Sequence, residues 1–239
     1  MKLKKIYDFL NQISPFELQE EWDNSGLLVG CFDNDIEKVY LTLDLDEGLI
    51  EKVEENSLII AHHPLIFKPL KNVIPTSFST KLLVKLIQKN ISFIAMHTNF
   101  DKTHLNRYVA ENVLNLKGEA FDFVYTAKID KPFDEFAEFI KEKLNLQCLK
   151  IVKCNDFIKT VSLTTGAGMS LLPYIKTDLF LTGDIKYHEA MDAKIRGVSL
   201  IDIGHYESEK FFADALYRDI KDLDLEIVKI NLENPFSVK

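Results

Sequence analysis

Cysteine is scarce in this chain, and so are the features that mark secreted, membrane or nucleic-acid-binding proteins. The three cysteines, Cys31, Cys148 and Cys154, form no CxxC pair. An odd number of cysteines behind a start that is no signal sequence points to reduced thiols in a cytoplasmic protein. No apolar run approaches the ~20 residues needed to span a bilayer, so no membrane partner is expected. No basic block occurs either: 37 acidic and 29 basic residues are scattered along the chain for a net charge of −8. A broad cationic face for nucleic acid is therefore excluded, and an anionic substrate would need lysines or metal ions at its own site. There is no linker, no low-complexity stretch and no GxSxG elbow, and no cysteine–histidine arrangement is suggested. Trp22 is the single tryptophan, and its plain reading is a core anchor.

What is present is an ordinary globular composition, 46% apolar and 28% charged over 239 residues, enough for one domain or two small lobes. The chain is organised around Leu58-Ile59-Ile60-Ala61-His62-His63-Pro64-Leu65. A short continuous apolar run between helical patterns reads as a buried strand of a parallel sheet. Pro64 keeps His63 out of the helical region, so both imidazoles stand at the strand's carboxyl end, where open α/β sheets place ligands. Adjacent side chains fan apart, so each histidine can serve a different metal ion; the alternative is a pair of hydrogen-bonded histidines.

Around this strand the chain alternates. Helices are expected over 2–13, 46–55, 79–89 and from a Thr103 cap to about 114, with strands over 39–43, 57–61 and 91–96. The second half reads as strands over 121–129, 149–153, 160–165, 178–182, 198–203 and 225–231. Helices over 132–144, after Gly166-Ala167-Gly168, after His188 to about Arg196 and to about 223 separate them. Strand–helix–strand repetition is βαβ logic with a mostly parallel sheet. An internal echo accompanies it: Val39–Leu43 is similar to Val161–Thr165, Leu58–Ala61 to Leu179–Thr182, and Ile91–Ile94 to Val198–Ile201. Two such lobes facing one another would bring their polar strand tips to one cleft.

Four of the six histidines, His62, His63, His97 and His205, fall at the carboxyl ends of apolar strands. Asp101 follows His97 closely, and Glu209 follows His205 by four residues, one helical turn, so both side chains of that pair share a face. His62, His63, Asp101, His205 and Glu209 together supply three imidazoles and two carboxylates without a thiolate. Such a set suits zinc, iron(II) or manganese, and a bridging carboxylate lets five ligands hold two ions. Helix capping is the plain alternative for Asp101 and Glu209. His97, Asn99 and His188 then contact the substrate or support the ligands, with His97 and His188 as proton-transfer groups. Lys68, Lys71, Lys102 and Lys186 lie beside the strand tips. The turn Thr165-Gly166-Ala167-Gly168 either offers amides to a phosphate or is simply tight.

These motifs resemble the GTP cyclohydrolase 1 type 2 family, the interacting-factor-3-like dinuclear metal proteins. The residues that carry the resemblance are Trp22-Asp23-Asn24-Ser25-Gly26-Leu27, Ala61-His62-His63-Pro64-Leu65, His97-Thr98-Asn99-Phe100-Asp101, Gly183-Asp184-Ile185-Lys186-Tyr187-His188 and Gly204-His205-Tyr206-Glu207-Ser208-Glu209. The resemblance implies two divalent ions per subunit on His62, His63, Asp101, His205 and Glu209. It implies an α/β fold of two similar lobes with mixed, mostly parallel sheets, facing each other across a metal cleft. One domain would cover 1–239, with lobes at about 1–120 and 121–239 and too short a stretch between Phe121 and Thr165 for an inserted domain. It also implies a ring-shaped homohexamer. Where the family often has histidine, this chain has Tyr187, which leaves His188 as the partner. The implied activity is opening of the imidazole ring of GTP with loss of formate, giving 7,8-dihydroneopterin triphosphate. The alternatives are hydrolysis of another nucleotide or phosphoester, and a non-catalytic metal-binding interaction protein.

Overall fold

The computed structural model describes residues 1–237 and contains two mixed α/β sheets, each in its own compact unit. Residues Met1–Phe100 and Phe212–Glu233 form the first unit; Asp101–Phe211 and 234–237 form the second.

The first unit opens with α1 (Leu3–Ile13), which buries Leu3, Ile6 and Leu10 at helical spacing and stops before Pro15, whose ring cannot continue a helix. Strands β1 (Gly26–Val29) and β2 (Lys38–Thr42) follow. Helix α2 (Glu47–Lys52) is capped by Asp46, whose side chain accepts from the Leu49 amide at 2.6 Å. Strand β3 (Leu58–Ala61) is buried at every position, as a strand covered on both faces must be. Helix α3 (Phe78–Gln88) starts at a Ser77–Thr80 capping box and leads to β4 (Ser92–Ala95). Tyr40, Ile59, Phe93, Leu82, Leu83 and Leu86 make the core on the α2/α3 side of this sheet. Each such side chain contributes about 1.5–3 kcal/mol by leaving water.

After β4 the chain turns helical sooner than its sequence pattern suggests. Helix α4 (Thr98–Phe100) runs without a break into a π-type turn (Asp101–Leu105), α5 (Asn106–Tyr108) and a second π-type turn (Val109–Val113). Thr103 is therefore inside the helical run and caps nothing, and Asp101 opens the first π turn. Single π turns inside helices recur at functional sites.

The sheet of the second unit begins with the hairpin β5 (Gly118–Phe121) and β6 (Val124–Pro132), broken at Asp122, whose φ of 53° is left-handed. The single strand expected over 121–129 is thus two. Helix α6 (Phe133–Leu144) follows Pro132 and ends on Asn145 at φ 56°. Strands β7 (Lys150–Val152), β8 (Phe157–Leu163), β9 (Leu179–Thr182) and β10 (Ser199–Asp202), with α7 (Tyr187–Arg196) between the last two, complete the sheet. Its order is β5-β6-β8-β9-β10-β7. The centre, β8-β9-β10, is parallel and the outer pairings are antiparallel. Helix α8 (His205–Glu209) starts three residues after β10.

Helix α9 (Phe212–Ile220) and β11 (Glu226–Lys229) then return to the first unit. β11 lies parallel to β2, giving the first sheet the order β1-β4-β3-β2-β11 with only β1 antiparallel. The three strand pairs whose sequences echo one another are therefore the parallel centres of the two sheets, β2-β3-β4 and β8-β9-β10. Among the described residues no helix is long and apolar enough to cross a membrane.

Candidate functional site

In the first unit three neighbouring parallel strands deliver polar side chains at their carboxyl ends: Asp44 beyond β2, His62 and His63 beyond β3, and His97 beyond β4. The imidazole centroids of His62, His63 and His97 lie 5.0, 5.1 and 5.3 Å apart pairwise. A ring nitrogen from each lies within 4.8 Å of the others, a grouping able to hold a metal ion. The Nδ1 atom of each ring has a hydrogen-bonding partner. His62 Nδ1 donates to the Met96 carbonyl at 2.8 Å; a carbonyl only accepts, so this proton is fixed on Nδ1 and the lone pair on Nε2. His63 Nδ1 meets Asp44 Oδ1 at 2.9 Å, and His97 Nδ1 meets Asp23 Oδ1 at 2.9 Å. A carboxylate behind a ligating imidazole is the common way to set its tautomer and raise its basicity. Phe212, the first residue of α9, packs against the His62 ring at 5.1 Å and against Phe100 at 5.1 Å.

Asp23 is the hub of the adjoining loop. Its fully buried side chain accepts from the Asn24 amide at 2.7 Å, Ser25 Oγ at 3.0 Å and the Thr98 amide at 3.1 Å, besides His97 and Thr98 Oγ1. Burial alone pushes this carboxyl up, but the hydrogen bonds from His97, Thr98 and Asn24 outweigh it and hold the group far below the usual carboxylate range.

The second unit repeats the placement. Thr165 and Gly166 lie beyond β8, Asp184 beyond β9 and His205 beyond β10. His205 Nδ1 meets Asp184 Oδ2 at 2.7 Å, and its Nε2 meets Glu209 Oε2 at 3.0 Å. The one-turn spacing of His205 and Glu209 thus brings the two side chains together on α8, and Glu209 is buried. Gly166 has φ 61°, and a Cβ there would run into Glu209 Oε1 and lie 3.5 Å from His205 Nε2. Only glycine leaves that carboxylate its place. Asp101 Oδ1 accepts from Thr165 Oγ1 at 3.4 Å, and Asn106 joins the two by donating to the Asp101 carbonyl at 3.1 Å and accepting from the Thr165 amide at 2.7 Å.

His188 is exposed in the first turn of α7, its ring edge-on to Tyr187 at 5.3 Å. The turn after β8 is not an open phosphate cradle. Gly166 donates its amide to Ser208 Oγ at 3.0 Å and Gly168 donates its amide to Thr182 Oγ1 at 2.8 Å. Lys102 is paired with Asp122 at 2.5 Å, whereas Lys68, Lys71 and Lys186 are exposed. Asn99 is buried and its Nδ2 donates to the Ser14 carbonyl and Oγ, each at 3.0 Å. Trp22 is not a core anchor, being 60% exposed. Sequence reasoning overlooked the roles of Asp23, Asp44 and Asp184. The signal was available, since each sits beside a strand-end histidine motif or at the end of a neighbouring strand.

The donor chemistry fits a divalent ion: imidazole nitrogens with their second nitrogens held by acceptors, carboxylates beside them, and a glycine that keeps Glu209 and His205 uncrowded.

The family model described as Duf34/NIF3 (NGG1p interacting factor 3) matches residues 1–235. The chain is 45% identical to the GTP cyclohydrolase 1 type 2 homolog of Campylobacter jejuni, over 99% of both proteins. It is 40% identical to the GTP cyclohydrolase 1 type 2 of Helicobacter pylori, over 99% of this chain and 98% of that protein. Among solved structures, the hypothetical protein SA1388 of Staphylococcus aureus superposes with a TM-score of 0.88 at 27% identity, covering 100% of this chain and 99% of that one. Reduced HcgD from Methanocaldococcus jannaschii superposes with a TM-score of 0.83 at 28% identity, covering 96% of this chain and 97% of that one.

Proposed function

Because the chain belongs to the Duf34/NIF3 family, we propose that it is a divalent-metal-dependent hydrolase of a nucleotide. Its reaction on this reading is that of a GTP cyclohydrolase, taking GTP and water to 7,8-dihydroneopterin triphosphate and formate. The observation that carries it is the trio His62, His63 and His97, each imidazole fixed through Nδ1 at a strand end. The name of the Helicobacter pylori relative supports the substrate.

The proposed ligands are His62, His63, Asp101, His205 and Glu209, holding two ions of zinc, iron or manganese. A bound divalent ion supplies Lewis acidity and the positive charge that a triphosphate needs beside a protein of charge −8. The chain's own residues do the rest. His97, braced by Asp23, takes up a proton as water adds to the imidazole carbon between the two ring nitrogens, and returns it as the C–N bond breaks. His188 is the second proton-transfer group. Lys68, Lys71 and Lys186, exposed, are the cations for the phosphates. A ring-shaped homohexamer goes with this reading, and the exposed stripe of Tyr187, Met191 and Ile195 on α7 supports burial of that helix face in an assembly. The free thiols Cys31, Cys148 and Cys154 suit a cytoplasmic location.

The test is to incubate metal-loaded protein with GTP and measure formate together with a fluorescent pterin after oxidation. Both should form, and Glu209→Gln should reduce them sharply. If neither forms while metal content and assembly are intact, the cyclohydrolase reading fails and phosphoester substrates take its place.

A further inference from the structure

Two large exposed aromatic side chains flank one histidine of the first unit. The Trp22 indole, 60% exposed, lies 5.8 Å from the His97 ring at an interplanar angle of 77°. Phe67, 46% exposed, lies 5.7 Å from the same ring at 84°. They belong to different loops, one leading into β1 and one leaving β3. Asn24 Nδ2 ties those loops by donating to the Ile66 carbonyl at 2.5 Å. Scattered apolar side chains on a surface are ordinary. Here both aromatics converge edge-to-face on the one imidazole that stands beside His62 and His63, and the loops that carry them are fastened together.

An edge-to-face contact engages at most one face of each ring, and the exposure of both leaves the remainder in solvent. We propose that Trp22 and Phe67 are a base clamp: they bind a planar nitrogen heterocycle, the purine base of a nucleotide, by stacking next to His97. Lys68 and Lys71 follow Phe67 in the same exposed loop and give the clamp a cationic margin suited to a ligand that is flat at one end and anionic at the other. The purine identity rests on the nucleotide reading above; the clamp itself does not require turnover. Stacking of a base on an aromatic side chain changes affinity by about 5- to 150-fold on truncation.

Trp22 is the only tryptophan, so selectively excited fluorescence of the intact protein reports on this position alone. The probes are GTP, ATP and inorganic triphosphate. GTP, ATP or both should change the Trp22 emission saturably, and triphosphate should not. Phe67→Leu, an exposed change that keeps the fold, should weaken nucleotide binding about 5- to 150-fold by calorimetry while leaving triphosphate affinity unaltered. Trp22→Phe should retain most of the affinity that Trp22→Ala loses. The clamp is overturned if no nucleotide perturbs Trp22, if triphosphate perturbs it equally, or if both variants bind as wild type does. If nucleotides perturb Trp22 but no formate appears from GTP, the clamp stands and the cyclohydrolase reading falls.

Discussion

The carboxylate of Asp184 lies 2.7 Å from Nδ1 of His205 and thereby decides which nitrogen of that ring faces Glu209. Asp184 also has a left-handed backbone, with φ 56°, a conformation that asparagine shares readily. Asp184→Asn therefore removes the charge and leaves the turn. Its expected effect is a loss of about 10- to 100-fold in divalent-metal affinity, measured by calorimetry with zinc or manganese, with an unchanged circular dichroism spectrum. Metal binding equal to wild type would remove Asp184 from any role behind His205.

Gly166→Ala tests the space around Glu209. A left-handed alanine is disfavoured by about 1–2 kcal/mol, and its methyl group would displace the Glu209 carboxylate. The variant should melt a few degrees lower and bind metal more weakly. A variant that melts lower yet keeps full metal content would mean that Glu209 tolerates displacement.

Acid stability should report on Asp178, which closes the start of β9 onto β8. Its Oδ2 accepts from the Lys159 amide at 2.9 Å, the Thr160 amide at 2.9 Å and Thr160 Oγ1 at 3.0 Å. Burial pushes this carboxyl up, but the three hydrogen bonds prevail and its pKa is lowered. A lowered folded-state pKa contributes stability that is present above the unfolded value of about 3.9 and is lost as pH falls below it. Asp178→Ala should therefore destabilise by about 1–3 kcal/mol at neutral pH. The gap from wild type should narrow as denaturant midpoints are measured towards pH 3.

Phe93 is fully buried in β4, in one core with Leu82, Leu83 and Leu86 of α3 and four residues before His97. Phe93→Ala should cost about 3–5 kcal/mol through lost burial and the cavity it leaves, read from urea unfolding. A loss under about 1 kcal/mol would mean that the first core collapses freely around the gap.

The parallel centres of both sheets were legible because Leu58–Ala61 and Leu179–Thr182 are unbroken apolar runs ended by polar residues. That pattern has one good explanation in an α/β protein. The helical start at Thr98 was not legible: Thr103 is an equally good cap by type, and only the bonds from Thr98 to Asp23 decide between them. The hairpin at Asp122 was missed because one left-handed residue inside a β-rich stretch leaves little trace in composition. Trp22 was misjudged because large aromatics are usually buried, and a single sequence does not say which one is held outside. Asp44 and Asp184 needed only the strand-end argument already applied to the histidines. Their pairing with His63 and His205 depends on strand order, which local pattern does not encode.

The parallel pairing of β11 with β2, reinforced by Lys38 bridging Glu54 at 2.6 Å and Glu226 at 2.7 Å, has a bearing on biogenesis. On a ribosome β2 emerges well before β11, so the first sheet carries an unpaired edge at β2 while the whole second sheet is being made. α9 arrives with the same late segment, and with it Phe212, the ring that supports His62. The histidine cluster of the first unit therefore gains that support only after β5 to β10 have been made, strands that can pair with one another as they emerge.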